Sequence, residues 1–298
     1  MKAWLVVNAF LQQEKFREIY QWIYEAGIKR GISLEMKTNA ELVAGIHDNK
    51  LMVSEQEKVD FVLFWDKDVL LARTLEQMGY AVYNSSFAIE ACDNKALTHL
   101  YLGRGQIPMP DTVFAPMTYA NIGYNELGFL REVVERLGLP VVVKECFGSF
   151  GQQVYLCETI EQLEKKVKEL EGKELIFQRF VAGAAGEDIR LQVVGGQVVA
   201  VMKRKAKDGD FRANITNGGS MQAFEASEEL CELAVRCCKL LQVDFAGVDL
   251  MRDANGQWLV CEVNSNAHFK NIFDCTGVNT ADYIVSYLIK AKSSISDN

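Results

Sequence analysis

The chain has 298 residues but only 4 prolines and 3 histidines. With histidines at 47, 99 and 268 alone, nucleophile–histidine catalysis has little to work with. Neither a Ser-His-Asp order nor a Gly-x-Ser-x-Gly elbow occurs. His47 and His99 read as structural, and His268 draws interest because it closely follows Asn264. No Gly-x-Gly-x-x-Gly follows the first apolar strand, which argues against a dinucleotide site there. None of the eight cysteines forms a Cys-x-x-Cys pair. Most read as buried small hydrophobes, so no zinc site is expected, and the usage fits a reducing cytoplasm. No apolar run approaches the ~20 residues that span a bilayer. The first eight residues turn polar too quickly for a signal peptide, so a cytoplasmic protein without a membrane partner is expected. Positive charge is also scarce: 32 Lys and Arg face 40 Asp and Glu, a net charge of −8. That balance argues against nucleic acid held on a basic surface.

What is present suits a globular enzyme with two or three lobes: 49% of residues are hydrophobic, and the length supports real cores. Residues 1–92 alternate strand and helix. Strands are expected at 3–8, 32–36, 61–65 and 81–83, with helices at 14–29 and 69–78, which implies a parallel sheet of βαβ type. A helix is expected from Ser85 through Asp93-Asn-Lys95 towards Gly103. Pro108 and Pro110 then mark a lobe boundary. A second unit follows, with helix 126–137, strand 140–145, a glycine loop, strand 153–157, helix 160–171 capped by Thr159, and strand 174–180. A third begins near Val181. Strands 188–194 and 197–205 flank a Gly195-Gly196 turn. A polar loop spans 206–220, helix 228–241 is capped by Ser227, and a last helix covers 281–290. Residues 293–298 read as a frayed tail.

The segment 245–264 is the most informative. Asp253-Ala-Asn-Gly256 carries an Asn-Gly turn signal between apolar runs, hence a hairpin. A four-residue loop would pair Arg252 with Gln257 and set Asp249 opposite Val260. Side-chain alternation then puts Asp249, Glu262 and Asn264 on one face, with Asp249 and Glu262 as diagonal neighbours roughly 7–8 Å apart. Hard oxygen donors without His or Cys favour magnesium over zinc, and magnesium commonly also binds substrate phosphates. The plain alternative is an acidic, solvent-facing strand edge. Lys144 ends the buried run Val-Val-Val-Lys and is followed by Gly148-Ser-Phe-Gly151. This is a loop whose N–H groups could approach phosphates, or a glycine hairpin beside a salt-bridged lysine. Lys95 alone reads as a surface lysine. Lys203, Arg204, Lys205 and Arg212 gather cations ahead of the carboxylate pair, and cations with a magnesium site are the parts of a phosphoryl-transfer centre.

The order of these pieces resembles the ATP-grasp superfamily. The run comprises Asp93-Asn-Lys95, Val-Val-Val-Lys144, Gly148-Ser-Phe-Gly151, Gln178-Arg-Phe180, Glu187-Asp-Ile-Arg190, Gly209-Asp-Phe-Arg-x-Asn214, Gly247-Val-Asp249 and Glu262-Val-Asn264. The branch it resembles is that of the RimK-type ligases, which attach amino acids such as glutamate to carboxylates. The resemblance implies an α/β (α+β) chain. An ATP-grasp fold would follow an N-terminal parallel-sheet pre-ATP-grasp domain over 1–92. A central subdomain over 93–180 would carry the lid and glycine loop, and a C-terminal one over 181–298 the metal and substrate site. It implies ATP with two Mg2+ ions (Mn2+ as a substitute) on Asp249, Glu262 and Asn264. Lys95 and Lys144 would hold the α/β-phosphates, and Gly148, Ser149 and Gly151 would cover the β/γ-phosphates. Gln178, Phe180 and the backbone of Val181 would border adenine, with Glu187 or Asp188 near the ribose. Arg212 and Asn214 would sit by the γ-phosphate and acyl phosphate, and Arg190 and Arg204 would face carboxylate or phosphate.

The implied reaction is acyl-phosphate formation followed by amide-bond formation. Its partners would be an amino acid and a carboxylate acceptor: a protein tail, carrier protein, peptide or metabolite. Self-association is common in the family. A catalytically silent nucleotide-binding regulator or scaffold on the same fold is the alternative. Three departures from the family pattern stand out. Ser265-Asn-Ala-His-Phe-Lys-Asn271 replaces a Ser-Pro-Gly-type turn and bears on which amino acid is used. Lys205 stands where arginine is frequent, and Gln178 where an acid is frequent.

Overall fold

The computed structural model describes residues 1–148, 151–184, 186–207 and 219–296. The first sheet contains β1 (Lys2–Val7), β2 (Ser33–Thr38), β5 (Phe61–Trp65) and β6 (Val82–Tyr83) in the order β2-β1-β5-β6, all parallel. β1 and β5 are apolar and buried along nearly their whole length, as strands covered on both faces must be. Helix α1 (Glu14–Lys29) packs Ile19, Tyr20, Ile23 and Ala26 onto one face, and α2 (Val69–Gln77) covers the other. The chain winds to opposite sides of the β1–β5 pair, so the carboxyl ends of these two strands open a crevice. Between β2 and β5 a small hairpin, β3 (Ala44–His47) with β4 (Lys50–Val53), turns on Asp48 and Asn49, both at positive φ. Sequence periodicity did not point to it; Asp and Asn tolerate that conformation better than most residues.

The chain then forms α3 (Ser86–Asp93) and α4 (Lys95–Arg104) rather than one continuous helix. Asn94 is extended, and its side chain caps the backbone N–H groups of Ala96 and Leu97, so Lys95 opens a fresh helix. The second sheet runs β7-β10-β8-β9, antiparallel, from β7 (Thr112–Phe114), β8 (Val141–Glu145), β9 (Val154–Cys157) and β10 (Leu175–Arg179). Helices α5 (Phe129–Leu137) and α6 (Ile160–Glu169) cover the face bearing Val141, Val143, Leu175 and Phe177. Alternation sends Val142, Lys144, Ile176 and Gln178 to the other face, where Ile176 pairs with Lys144 and Gln178 with Val142.

The third sheet has the order β13-β12-β11-β14-β15. Its strands are β11 (Glu187–Val194), β12 (Gln197–Lys205), β13 (Ser220–Ala223), β14 (Phe245–Arg252) and β15 (Trp258–Asn264), all antiparallel. Gly195 and Gly196 make the β11–β12 turn at positive φ. Helix α7 (Glu228–Leu240) packs on one face, while α8 (Lys270–Thr276) and α9 (Thr280–Ser296) join the other face to the core of the first sheet. α9 continues to Ser296, so residues 293–296 are helical rather than a frayed tail, and α8 lies where no helix was expected. Buried Asn84 ties the first sheet to the third. Its amide donates to the carbonyls of Phe245 (2.9 Å) and Ser265 (3.0 Å), and its oxygen accepts from Asp244 N (2.7 Å) and Phe245 N (3.3 Å). Among the described residues no helix is long and apolar enough to cross a membrane.

Candidate active site

The hairpin of β14 and β15 differs in register from the sequence expectation. Arg252 pairs with Trp258, and the loop runs through five residues closed by a bond from Asp253 N to Gln257 O (2.9 Å). The Asp253 carboxylate takes the N–H groups of Asn255 and Gln257, and Gly256 adopts positive φ. Leu250 pairs with Val260, and a bulge follows that leaves Cys261 as the extra residue. Asp249 therefore sits directly opposite Glu262, not Val260, and Gly247 opposite Asn264. Gly247 has no room for a side chain: a Cβ there would lie 2.6 Å from that of Ala267 and 3.4 Å from Arg190.

Register extends this face across the sheet. Arg190 pairs with Asp249 and Asp188 with Arg204, so alternation gathers Asp188, Arg190, Arg204, Asp249 and Glu262 on one side. The Arg190 guanidinium grips the Asp249 carboxylate by two bonds of 2.6 Å, and Arg204 grips Asp188 in the same way. Arg204 also reaches Asp249 at 3.0 Å. Asp249 is 3% exposed. Burial works to raise its carboxyl, but the charges of Arg190 and Arg204 outweigh that and hold it below the ordinary range. For Asp188 burial prevails, with the neighbouring Asp249 charge adding to it, and the carboxyl is raised despite Arg204. Two acids and two guanidiniums make a neutral cluster. Glu187 lies on the opposite side of the strand and pairs with Lys203 (2.6 Å) and Lys205 (3.5 Å), so it stands apart from Asp188.

Opposite this face stand the lysines. Lys95, at the start of α4, donates to the Gly148 carbonyl (3.2 Å) and lies 3.6 Å from Glu262. Its own backbone N–H bonds to Cys146 O (3.0 Å), which fixes the helix start against the end of β8. Lys144 is 7% exposed, and no carboxylate among the described residues comes within salt-bridge reach. Its charge is felt by His99 and Cys261, so α4, β8 and the β15 bulge converge. The Cys261 thiol is pushed up to about 11 by burial, with Lys144 opposing.

Gln178 is 2% exposed and turned inward. Its amide donates to Thr112 Oγ1 (3.0 Å) and meets His99 Nε2 (2.9 Å), while His99 Nδ1 meets Lys95 O (2.8 Å). A carbonyl can only accept, so the proton sits on Nδ1 and Nε2 receives the Gln178 amide hydrogen. Burial, then the Lys144 charge, pushes His99 down to about 4, and it stays neutral between the two lysines. The sequence marked His99 only as structural; its link to Gln178 spans 79 positions.

Phe180 and Val181 form the passage from β10 to β11, followed by a 3-10 turn, Ala182–Ala184. Gly183 rests against the backbone of Ala254, where a Cβ would come within 2.4 Å of Ala254 N. Gly148 and Gly151 are at positive φ. Ser149, Arg212 and Asn214 lie outside the described residues.

Among the described residues no three His, Cys, Asp or Glu side chains gather as a metal cluster. The donor set at the hairpin is two carboxylates and one amide, whose hard oxygens suit magnesium, and a metal would share Asp249 with the Arg190 and Arg204 guanidiniums that already hold both its oxygens. Among the described residues Asn264 Nδ2 is buried with no acceptor, and Glu262 has Lys95 alone at ion-pair range.

A family model described as the RimK-like ATP-grasp domain matches residues 92–288. The chain belongs to the RimK-like ATP-grasp family. Its enzyme class is accordingly that of the ATP-grasp ligases, ADP-forming. It is 36% identical over 220 residues to a probable alpha-L-glutamate ligase of Pseudomonas fluorescens strain Pf-5, covering 73% of this chain and 70% of that one. A second probable alpha-L-glutamate ligase, from Pseudomonas fluorescens strain SBW25, is 32% identical over 282 residues and covers 90% of both. Among solved structures, D-alanine–D-alanine ligase from Bacillus anthracis complexed with ATP superposes with a TM-score of 0.74 at 17% identity, covering 99% of each chain. The α/β fold with its parallel first sheet is thus that of ATP-grasp ligases.

Proposed function

We propose that this RimK-like ligase joins an amino acid to a carboxylate acceptor through an acyl phosphate, at the expense of ATP. One observation carries the reading. Lys95 and the buried Lys144 converge from α4 and β8 on a face that presents Asp249, Glu262 and Asn264. Buried ammonium without a described carboxylate calls for an anion, and polyphosphate is the anion that also recruits hard oxygen donors.

Lys95 and Lys144 hold the α/β-phosphates, and the loop at Gly148, Ser149 and Gly151 covers the β/γ-phosphates. Phe180 and the Val181 backbone border adenine. The Gln178 side chain supports that wall through His99 instead of touching the base, and Asp188 is the acid nearer the ribose. Residues 93–180 form the closing lobe and residues 181–298 the metal and substrate lobe. Asp249, Glu262 and Asn264 supply oxygens for two magnesium ions, with manganese as a substitute; when bound, the metal offsets phosphate charge. Arg190 and Arg204 each use Nε and Nη2 on the acids, which leaves Nη1 of each to meet phosphate or carboxylate. Arg212 and Asn214 attend the transferring phosphoryl group.

A carboxylate is a poor electrophile. Taking the γ-phosphoryl group turns it into an acyl phosphate, and ADP departs. The free amine of the amino acid then attacks the carbonyl carbon, the C–O bond to phosphate breaks, and the amine proton is lost. The protein's part is positioning and charge stabilisation. Closure of the cleft excludes water that would hydrolyse the intermediate. The test is a matrix of carboxylates (peptide tails, a carrier protein, small di- and tricarboxylates) against the twenty amino acids, with ATP and magnesium. Glutamate comes first in the matrix because the relatives carry that name. Phosphate release matched to an amide product of the corresponding mass is expected; no phosphate release with any pair would oppose the reading.

A further inference from the structure

The crevice at the carboxyl ends of β1 and β5 holds a second arrangement, separate from the phosphate lysines and metal ligands. Asn8 and Asp66 are the residues immediately beyond the two strands. Asp66 is 6% exposed. Its carboxylate accepts from the Asn8 amide at 3.1 and 3.2 Å and from the Lys67 backbone N–H at 2.7 Å. Those donors are neutral. The Lys67 ammonium is paired with Asp93, and no cation among the described residues forms an ion pair with Asp66. Burial raises the Asp66 carboxyl and the Asp68 charge adds to it, with the Lys67 N–H, Asn8 and the Lys67 charge opposing, and Tyr20 nearby is raised by burial and by the Asp66 charge.

Asn266 supplies the second, independent observation. Its NH2 donates to the Asp66 backbone carbonyl (2.7 Å), which can only accept, so the amide orientation is fixed. The other end of that amide, Oδ1, is buried and has no partner among the described residues. A desolvated carboxylate with no cation in ion-pair contact among the described residues and an amide oxygen lacking a donor both seek N–H groups. An ammonium offers three N–H donors and one positive charge; a carboxylate or phosphate would be repelled. The crevice also touches both walls of the ATP cleft. Asn266 lies two residues beyond Asn264, and Lys67 reaches Asp93, two residues before Lys95.

We propose that Asp66, seated by Asn8 and assisted by Asn266, binds the ammonium group of the amine substrate. The inference rests on the ligase reading and gives it a second substrate subsite: an amino acid enters with its α-ammonium directed into the β1–β5 crevice. Before attack the ammonium passes one proton to the Asp66 carboxylate, and the free amine so formed adds to the carbonyl carbon of the acyl phosphate.

The protein with ADP and magnesium is titrated with each of the twenty L-amino acids and with their N-acetyl forms, which lack the ammonium. At least one amino acid should bind on the order of 10- to 100-fold more tightly than its N-acetyl form, and Asp66→Asn should erase that difference. In parallel, hydroxylamine, neutral at pH 7, replaces the amine and traps the acyl phosphate as a hydroxamate. Asp66→Asn should lower amide formation at least about 10-fold more than hydroxamate formation, because an uncharged nucleophile brings no ammonium for the site to hold. The proposal is overturned if no amino acid is preferred over its N-acetyl form, if Asp66→Asn keeps the preference, or if it lowers amide and hydroxamate formation alike. Should Asp66→Asn not fold, Asn266→Ala takes its place, with a partial loss of preference expected and an unchanged preference overturning the proposal. Absence of hydroxamate in wild type would sink the ligase reading alone, leaving the ammonium site to stand or fall on the titration.

Discussion

Acid should loosen this protein through His99. The imidazole is buried, receives the Gln178 amide hydrogen on Nε2, and is pushed from an ordinary value of 6.5 down to about 4. A folded-state value below the unfolded one means that the fold favours the neutral ring. The contribution is complete above about pH 6.5 and is lost as pH falls from there towards 4, because the unfolded chain takes the proton first. The full drop corresponds to about 3 kcal/mol, of which about 2 kcal/mol is gone by pH 5. His99→Gln removes the titration while keeping a polar side chain. Urea midpoints of both proteins from pH 7.5 to 5 isolate the effect, since every other titrating group is shared. Wild type should lose about 2 kcal/mol relative to the variant across that range. A pH-independent difference, or a His99 imidazole titrating near 6.5 by NMR, would refute the burial argument.

Other substitutions probe the remaining parts. Lys144→Ala should weaken ATP binding by on the order of 10- to 100-fold with the fold retained, as seen by nucleotide titration; unchanged affinity would remove Lys144 from the phosphate site. Glu262→Ala should abolish ADP release with every substrate pair while circular dichroism stays the same; retained turnover would end the metal assignment. Gly247→Ala should cost about 1–3 kcal/mol in urea melts, because the new methyl meets Ala267 at 2.6 Å. The second change Ala267→Gly should recover most of that loss, and absence of recovery would show that the contact is not the cause.

Much of the fold could be read along the chain because strand and helix periods are local. Val-Val-Val-Lys144, the Gly195-Gly196 turn and the Ser227 cap each carry their signal within a few residues. The hairpin register could not be read that way. Asp253 closes a five-residue loop through its own side chain, and the bulge at Cys261 then restores the shared face of Asp249 and Glu262 that a uniform ladder with that loop would have broken. The break between α3 and α4 turned on Asn94 preferring to cap rather than continue. Long-range wiring was hidden altogether. Arg190 read as a substrate-facing cation is held on Asp249 across 59 positions, and Asn266 meets Asp66 across 200. Asn8 and Asp66 did have a local mark, each being the first polar residue after an apolar strand, and the strand reversal gives that mark its meaning.

The central claim is that ATP is spent on activating a carboxylate for attack by an amine. Oxygen transfer tests it most directly. The productive carboxylate of the substrate matrix is labelled with 18O and incubated with ATP, magnesium, its amino acid and the enzyme, and the released phosphate is weighed by mass spectrometry. An acyl phosphate leaves one carboxylate oxygen on phosphate, so one labelled oxygen per phosphate and one amide per ADP are expected. Unlabelled phosphate, or ADP formed without amide, would contradict the account.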